Sequence, residues 1–310
     1  MQRLVDLGDP AAAALTNPRV TFFELPTGHW PMLSQPAELA DVLLRAAAGE
    51  GRRLRPARDG APPAHLRPFP LDVPELPRDR RGHVDLYVPD AAGPRPAVIF
   101  VHGGPVPAGA RPKPRDWPTL VGYARLAAAE GVIGVTLDHR LHDVADYERA
   151  AADVTAAVEL VRSDPRVDAG RIALWFFSAG GLLAADWLTE PPAWLRCLAA
   201  SYPILAPLPN WGLTGSRFHP VGAVAHAGSL PVVLLRAGRE SPEIAATVEA
   251  FVTAAEDGGA HLELIDVPNG RHGFETLDAP EEVRPALRHA VRSVVAHLTG
   301  EPGSATLRTG

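Results

Sequence analysis

The 310-residue sequence predicts an α/β fold built on a mainly parallel, doubly wound sheet. Three observations predict it. Residues 96–102, 132–138 and 171–177 are near-continuous apolar runs, the pattern of strands buried on both faces. Segments with helical character alternate with such runs, which calls for a parallel sheet covered on two sides. Finally, His102, Ser178, Glu240 and His272 each fall just after a predicted strand. That is the sheet edge at which folds of this class bind ligands.

The elements come in order. Residues 1–82 stand apart as an N-terminal arm, and 49–82, rich in Pro, Arg and Gly, read as an extended linker or surface-hugging segment. Regular structure is expected from His83. Residues 84–88 alternate as a short strand, 96–102 form the next, 117–130 a helix and 132–138 a buried strand. Residues 147–162 read as a helix that Asp164-Pro165 stops. A strand over 171–177, a helix over 182–188 and strands over 195–202 and 231–236 come next. A helix over 242–256, a last strand over 262–267 and a closing helix over 281–298 complete the expectation. Residues 206–229 break the rhythm and read as a lid-like insertion; residues 301–310 read as a tail.

Composition excludes several classes. An apolar fraction of 46% with 21% charged residues is that of a soluble globular protein. The net charge of -6 argues against nucleic acid or an anionic membrane as partner. Lys113 is the only lysine, a coding bias without functional content. Cys197, the only cysteine, allows neither an intrachain disulfide nor a Cys-based zinc site. Asp6, Asp9 and Pro10 interrupt what a signal peptide would need, and no apolar run is long enough to span a bilayer. A cytoplasmic protein, with a homodimer as the oligomer to consider, is the expectation.

The chemistry starts at Ser178, in Trp175-Phe176-Phe177-Ser178-Ala179-Gly180-Gly181. A buried strand that ends in a small-residue turn lifts a hydroxyl toward a cleft. A serine needs a base within hydrogen-bond reach, and that base needs an orienting group. His272, between Gly270 and Gly273 after the last strand, is the candidate base. Glu240 is the favoured acid, with Glu243 one helical turn on as competitor and Asp266 as a weaker one. The N–H of Ala179 and those of Gly103 and Gly104 are candidate oxyanion donors, glycine permitting close backbone approach. His102 is read chiefly as orienting that loop. With Phe177, Trp211 and Phe218 it is also a candidate for the substrate pocket.

These motifs resemble the α/β-hydrolase superfamily over residues 83–298. The His102-Gly103-Gly104 loop and Leu137-Asp138-His139-Arg140-Leu141 resemble its esterase branch, related to hormone-sensitive lipase and to dienelactone-hydrolase-like enzymes. The order Ser178, Glu240, His272 matches the family order of nucleophile, acid and base. The resemblance implies a serine esterase acting on a small-molecule ester through an acyl-enzyme, without a cofactor. One position departs: the family elbow is Gly-x-Ser-x-Gly, and Phe176 stands at its first glycine. That departure motivates a second reading, a lyase or cyclase on the same fold without an acyl-enzyme; a non-catalytic binding protein is a third. Residues 23–32 and 36–47 resemble the C-terminal end of a different α/β-hydrolase, which makes His29 a remote second candidate histidine.

Other motifs carry little. His139 and His142 beside Asp143 lack a third ligand for a metal. No phosphate-binding glycine loop follows a strand, and no basic stripe interleaves with aromatics.

Overall fold

A computed structural model describes residues 20–23, 25, 31–53, 62–209, 211–213, 215–277 and 280–300. His29 and the expected tail over 301–310 lie outside the described residues. The chain divides into two compact units, Met1–Arg67 and Pro68–Gly310.

The first unit holds helices α1 (Pro31–Ser34) and α2 (Pro36–Ala47) and an antiparallel bridge between Phe22 and Arg52. Pro36 opens α2 at the position where a missing N–H costs nothing. Among its described residues α2 buries none.

The second unit is an eight-stranded sheet in the order β1-β2-β4-β3-β5-β6-β7-β8. The strands are β1 (Asp79–Arg81), β2 (Val84–Tyr87), β3 (Arg95–Val101), β4 (Ile133–Leu137), β5 (Val167–Phe177), β6 (Leu195–Ser201), β7 (Val232–Ala237) and β8 (Leu262–Val267). The β1–β2 and β2–β4 pairs are antiparallel and all others parallel. Helices α3 (Pro118–Ala129) and α9 (Pro280–Thr299) cover one face. Helices α4 (Tyr147–Arg162), α5 (Ala184–Thr189), α6 (Pro220–Ala223) and α7 (Pro242–Asp257) cover the other. A short helix, α8 (Phe274–Leu277), precedes α9.

Most expected elements are present within a residue or two of their expected ends; β5 begins at Val167 rather than 171, and two further regions differ. The sheet starts at Asp79 rather than in the eighties. All three β1 residues are charged, so the strand shows no apolar alternation. Its backbone pairing to β2 and the fork of Arg80 on buried Asp85 (2.7–2.8 Å) hold it, and its charges blunt the sheet edge against further pairing. The second is the expected lid over 206–229. Phe218, Ala223, Val224 and Ala227 are buried in the core, and α6 packs on α5 and α7, so that half of the segment is a core layer.

The strand order reverses between β4 and β5 on either side of β3. The crevice at such a switch point lies beyond the strands' carboxyl ends. His102 follows β3 there and Ser178 follows β5.

Candidate active site

Phe177 ends β5 in extended backbone, and Ser178 comes next with φ 51, a left-handed conformation that costs a non-glycine residue about 1–3 kcal/mol. The surroundings over-determine it. Ser178 O accepts from Ile204 N at 2.9 Å. The Tyr147 hydroxyl, on α4, donates to Ala179 O at 2.9 Å. Gly180 packs so closely that a Cβ would lie 2.5 Å from His102 O, and at Gly181 one would lie 2.7 Å from Ile204 O. Two backbones pass where no side chain fits, and the corner is forced.

The Phe176 departure is resolved by packing. Successive strand residues point to opposite faces. Phe176 is fully buried in the apolar layer under α4–α7, while Trp175 and Phe177 enter the opposite layer. Its lateral partners are Val101 on β3 and Ala200 on β6, and the small Ala200 leaves room for the ring. The corner does not open to admit the phenylalanine.

His272 sits in the loop between β8 and α8. Its Nε2 is 2.6 Å from Ser178 Oγ, and its Nδ1 is 2.5 Å from Glu240 Oε2. A carboxylate only accepts, so Nδ1 carries the proton and Nε2 is left as the acceptor facing the serine hydroxyl. Both side chains are nearly inaccessible, His272 at 8% and Glu240 at 4%. The second carboxylate oxygen accepts from Ser241 N at 2.8 Å, which fixes the group at the start of α7. The competitors are placed elsewhere: Glu243 is exposed, and Asp266 is bound by Arg236 at 2.7 Å.

The loop after β3 lies against the serine. A Cβ at Gly103 would be 2.8 Å from Ser178 Cβ, and Gly104 packs on Leu141. Beneath it His102 stacks on His139, ring centroids 3.6 Å apart and 9° from parallel. The hydrogen bonds assign their protons. His139 Nδ1 accepts from Leu141 N, so its Nε2–H donates to His102 O at 2.9 Å. His102 Nε2 accepts from His139 N, so its Nδ1–H donates to Gly103 O at 2.5 Å. Burial holds both rings neutral: it pushes His102 well below imidazole's ordinary value, with His139 adding to it, and pushes His139 down to about 4. Arg140 forks onto Asp153 of α4 at 2.6–2.8 Å, which anchors the 139–141 turn.

Of the four residues that the sequence assigns to a substrate pocket, three are buried and one is partly exposed. His102 is 1% exposed, so it underpins the loop and lines no open wall. Phe218 is also in the core, packed on Tyr147 at 5.4 Å. Phe177 is 4% exposed, within the aromatic layer. Trp211 is half-buried, 6.4 Å from the Tyr147 ring. A cavity of about 440 Å³ opens beside Glu240, with Tyr202, Arg236, Gly238 and Pro268 in its wall.

Some site neighbours carried no sequence signal. Tyr202, at φ 38, brings its ring within 5.1 Å of His272. Buried Glu275 accepts from the Tyr123 hydroxyl at 2.7 Å. Both depend on pairings between residues far apart in the chain. Among the described residues no group of three or more His, Cys, Asp or Glu side chains could hold a metal, and no helix is long and apolar enough to cross a membrane.

The BD-FAE family model matches residues 84–187. Several solved structures are similar. A truncated carbohydrate esterase from gut microbiota is 16% identical with a TM-score of 0.56, the match covering 70% of this chain and 90% of that one. An α/β-hydrolase enzyme from the metagenome of Lake Arreo, Spain, is 19% identical with a TM-score of 0.60, over 84% and 97% of the two chains. The acylaminoacyl peptidase of Pyrococcus horikoshii is 15% identical with a TM-score of 0.60; the match covers 76% of this chain but only 44% of that longer one. No curated protein sequence matches.

Proposed function

Starting from a chain of α/β-hydrolase fold, we propose that it is a serine hydrolase cleaving a carboxylic ester through an acyl-enzyme on Ser178. The observation that carries this is the continuous relay from Ser178 Oγ to His272 Nε2 (2.6 Å) and from His272 Nδ1 to Glu240 (2.5 Å), held at a strained, over-determined turn. Ester chemistry is also what the likeness to a carbohydrate esterase supports.

Each group has one task. Ser178 Oγ attacks the ester carbonyl carbon as its proton passes to His272 Nε2. The carbonyl oxygen becomes an oxyanion that accepts from the N–H of Ala179 and from the Gly103-Gly104 loop. One such donor is typically worth about 3–4 kcal/mol in the transition state. Glu240 holds the ring in the required tautomer and offsets the imidazolium charge. Collapse breaks the bond to the alcohol, which takes the proton from Nε2. Water then attacks the acyl-enzyme with His272 again as base, releasing the acid and restoring the serine. Lactones and thioesters would react by the same steps.

The test is labelling with a fluorophosphonate, with the adduct mapped by mass spectrometry and Ser178→Ala as control. A single adduct on Ser178, absent from the variant, together with turnover of a small aryl ester, is expected. A folded protein that takes no label and turns over no ester would refute the reading.

A further inference from the structure

The apolar layer under α3 and α9 contains a polar thread that the proposed reaction does not use. Trp175, on β5 three residues before Ser178, donates its indole N–H to Ser201 Oγ at 2.9 Å. Ser201, on β6, faces the Tyr123 hydroxyl at 3.5 Å. Tyr123, on α3, donates to Glu275 Oε1 at 2.7 Å. Glu275 lies on α8, three residues after His272. Ser201 and Tyr123 are fully buried and Glu275 is 4% exposed. The surroundings are rings: Tyr123 packs 5.0–5.5 Å from Phe69, Phe100, Trp175 and Phe177.

A carboxyl group in such a layer is expensive to desolvate, and an apolar side chain of similar volume would generally stabilise at least as well. Stability alone is therefore a poor reason for it to be there. What a buried polar chain supplies is a restricted arrangement of the elements it joins. Here its two ends are the strand that carries the serine and the loop that carries the histidine. Burial, with Glu275 next in importance, pushes the Tyr123 hydroxyl well above tyrosine's ordinary value, so it remains a donor throughout the accessible pH range.

We propose that Glu275 is a positioning residue: through Tyr123, Ser201 and Trp175 it holds the His272 loop in register with the end of β5, and so sets the Ser178–His272 separation. The thread spans four elements that no local sequence preference aligns: β5, β6, α3 and α8. Tyr202, immediately after Ser201, packs its ring 5.1 Å from His272 at a tilt and 5.0 Å from Phe274 edge-on, and passes the same constraint to the imidazole. The consequence for ester turnover rests on the function proposed above; the geometric consequence does not.

The experiment uses Tyr123→Phe, Glu275→Leu, their double variant and Glu275→Gln in the full chain. Tyr123→Phe removes only a hydroxyl and keeps the ring packing, so it reports even where Glu275→Leu folds poorly. Tyr123→Phe and Glu275→Leu should each lower kcat about 10- to 100-fold with KM within about twofold, the loss expected for a sub-ångström misplacement. The double variant should be no worse than the worse single one, since all break the same link. Glu275→Gln keeps an acceptor for Tyr123 and should recover most of the loss. Independently of turnover, the low-field proton NMR signal of His272 Nδ1–H should shift or broaden in Tyr123→Phe and stay sharp in the wild type. A wild type that turns over no ester defeats the functional reading, while the NMR comparison still decides the positioning role. Wild-type kcat and an unmoved signal in folded Tyr123→Phe would overturn the proposal. So would a loss of kcat that merely tracks the loss of melting temperature, with Glu275→Gln as impaired as Glu275→Leu.

Discussion

The two faces of the sheet are built from different chemistry. Under α4–α7 the layer is chiefly Val, Leu, Ile and Ala, with Phe176, Phe218, Phe251 and Tyr147 as its large side chains. Under α3 and α9 the layer is richer in rings, namely Tyr87, Phe100, Tyr123, Trp175, Phe177, Tyr202 and Phe274. Ser201 and Glu275 are buried on that same side, joined to Tyr123. The first face is a packing surface, and volume is what it asks of its residues. The second also fixes directions, because hydrogen bonds and ring contacts restrict orientation where aliphatic contacts do not. A single strand shows the contrast: Trp175, Phe176 and Phe177 alternate between the faces, and Ser178 is the next residue along the chain.

The largest break comes at the edge that both faces share. Ser178→Ala and His272→Ala should each lower kcat roughly 10⁴- to 10⁶-fold, with similar residual rates because they act as one unit. Steady-state kinetics on an aryl ester would check this, and a residual rate near wild type in either variant would remove that residue from the relay.

Neighbouring residues on β5 then separate the faces. Leu174→Ala, on the aliphatic side, should cost about 2–5 kcal/mol of stability by leaving a cavity. It should leave kcat of the folded protein within about twofold. Trp175→Phe, on the aromatic side, should cost less stability yet lower kcat more. Denaturant titration beside kinetics would read the pair, and equal kcat losses would end the distinction. A loss confined to catalysis is expected at Gly103→Ala. The new Cβ would lie 2.8 Å from Ser178 Cβ. A loss of roughly 10²-fold in kcat, as for an oxyanion donor, should result without loss of fold.

Acid sharpens the comparison further. His139 is held neutral in the fold, pushed down to about 4, and titrates near 6.5 when unfolded. The unfolded chain therefore binds more protons between those values. Stability from this group is complete above about pH 6.5 and is lost as pH falls toward 4, by up to about 3 kcal/mol. The melting temperature of the wild type should drop over that window, and His139→Phe should flatten the curve. An unchanged slope in the variant would show that other groups carry the acid sensitivity. The smallest effect belongs to Glu243→Gln: an exposed side chain away from His272 should shift stability by no more than about 0.5 kcal/mol and kcat by less than twofold.

Much of this architecture is legible in the chain alone. The apolar runs that form β3, β4 and β5 are long enough to demand burial on both faces, and α4 and β8 fall where their periodicity puts them. Ser178, Glu240 and His272 are legible because each comes just after a strand, at the edge where small residues and glycines open the backbone. Local pattern fails where the determining partner is distant. β1 is three charged residues whose strand character comes from β2 and Asp85. Phe218 looks like a pocket aromatic until Tyr147 covers it, and His102 until His139 stacks on it. Phe176 reads as an obstruction at the elbow, and only the packed layer it points into, with small Ala200 beside it on the neighbouring strand, makes it a core residue. Sequence by itself determined the order of the elements and singled out the candidate groups, because periodicity and chain position are local properties. Tertiary structure alone decided which carboxylate meets the histidine, which aromatic side chains are wall and which are core, and that Glu275 is tied to the serine's strand. Those depend on contacts between residues up to 152 positions apart, whose closure no local preference encodes.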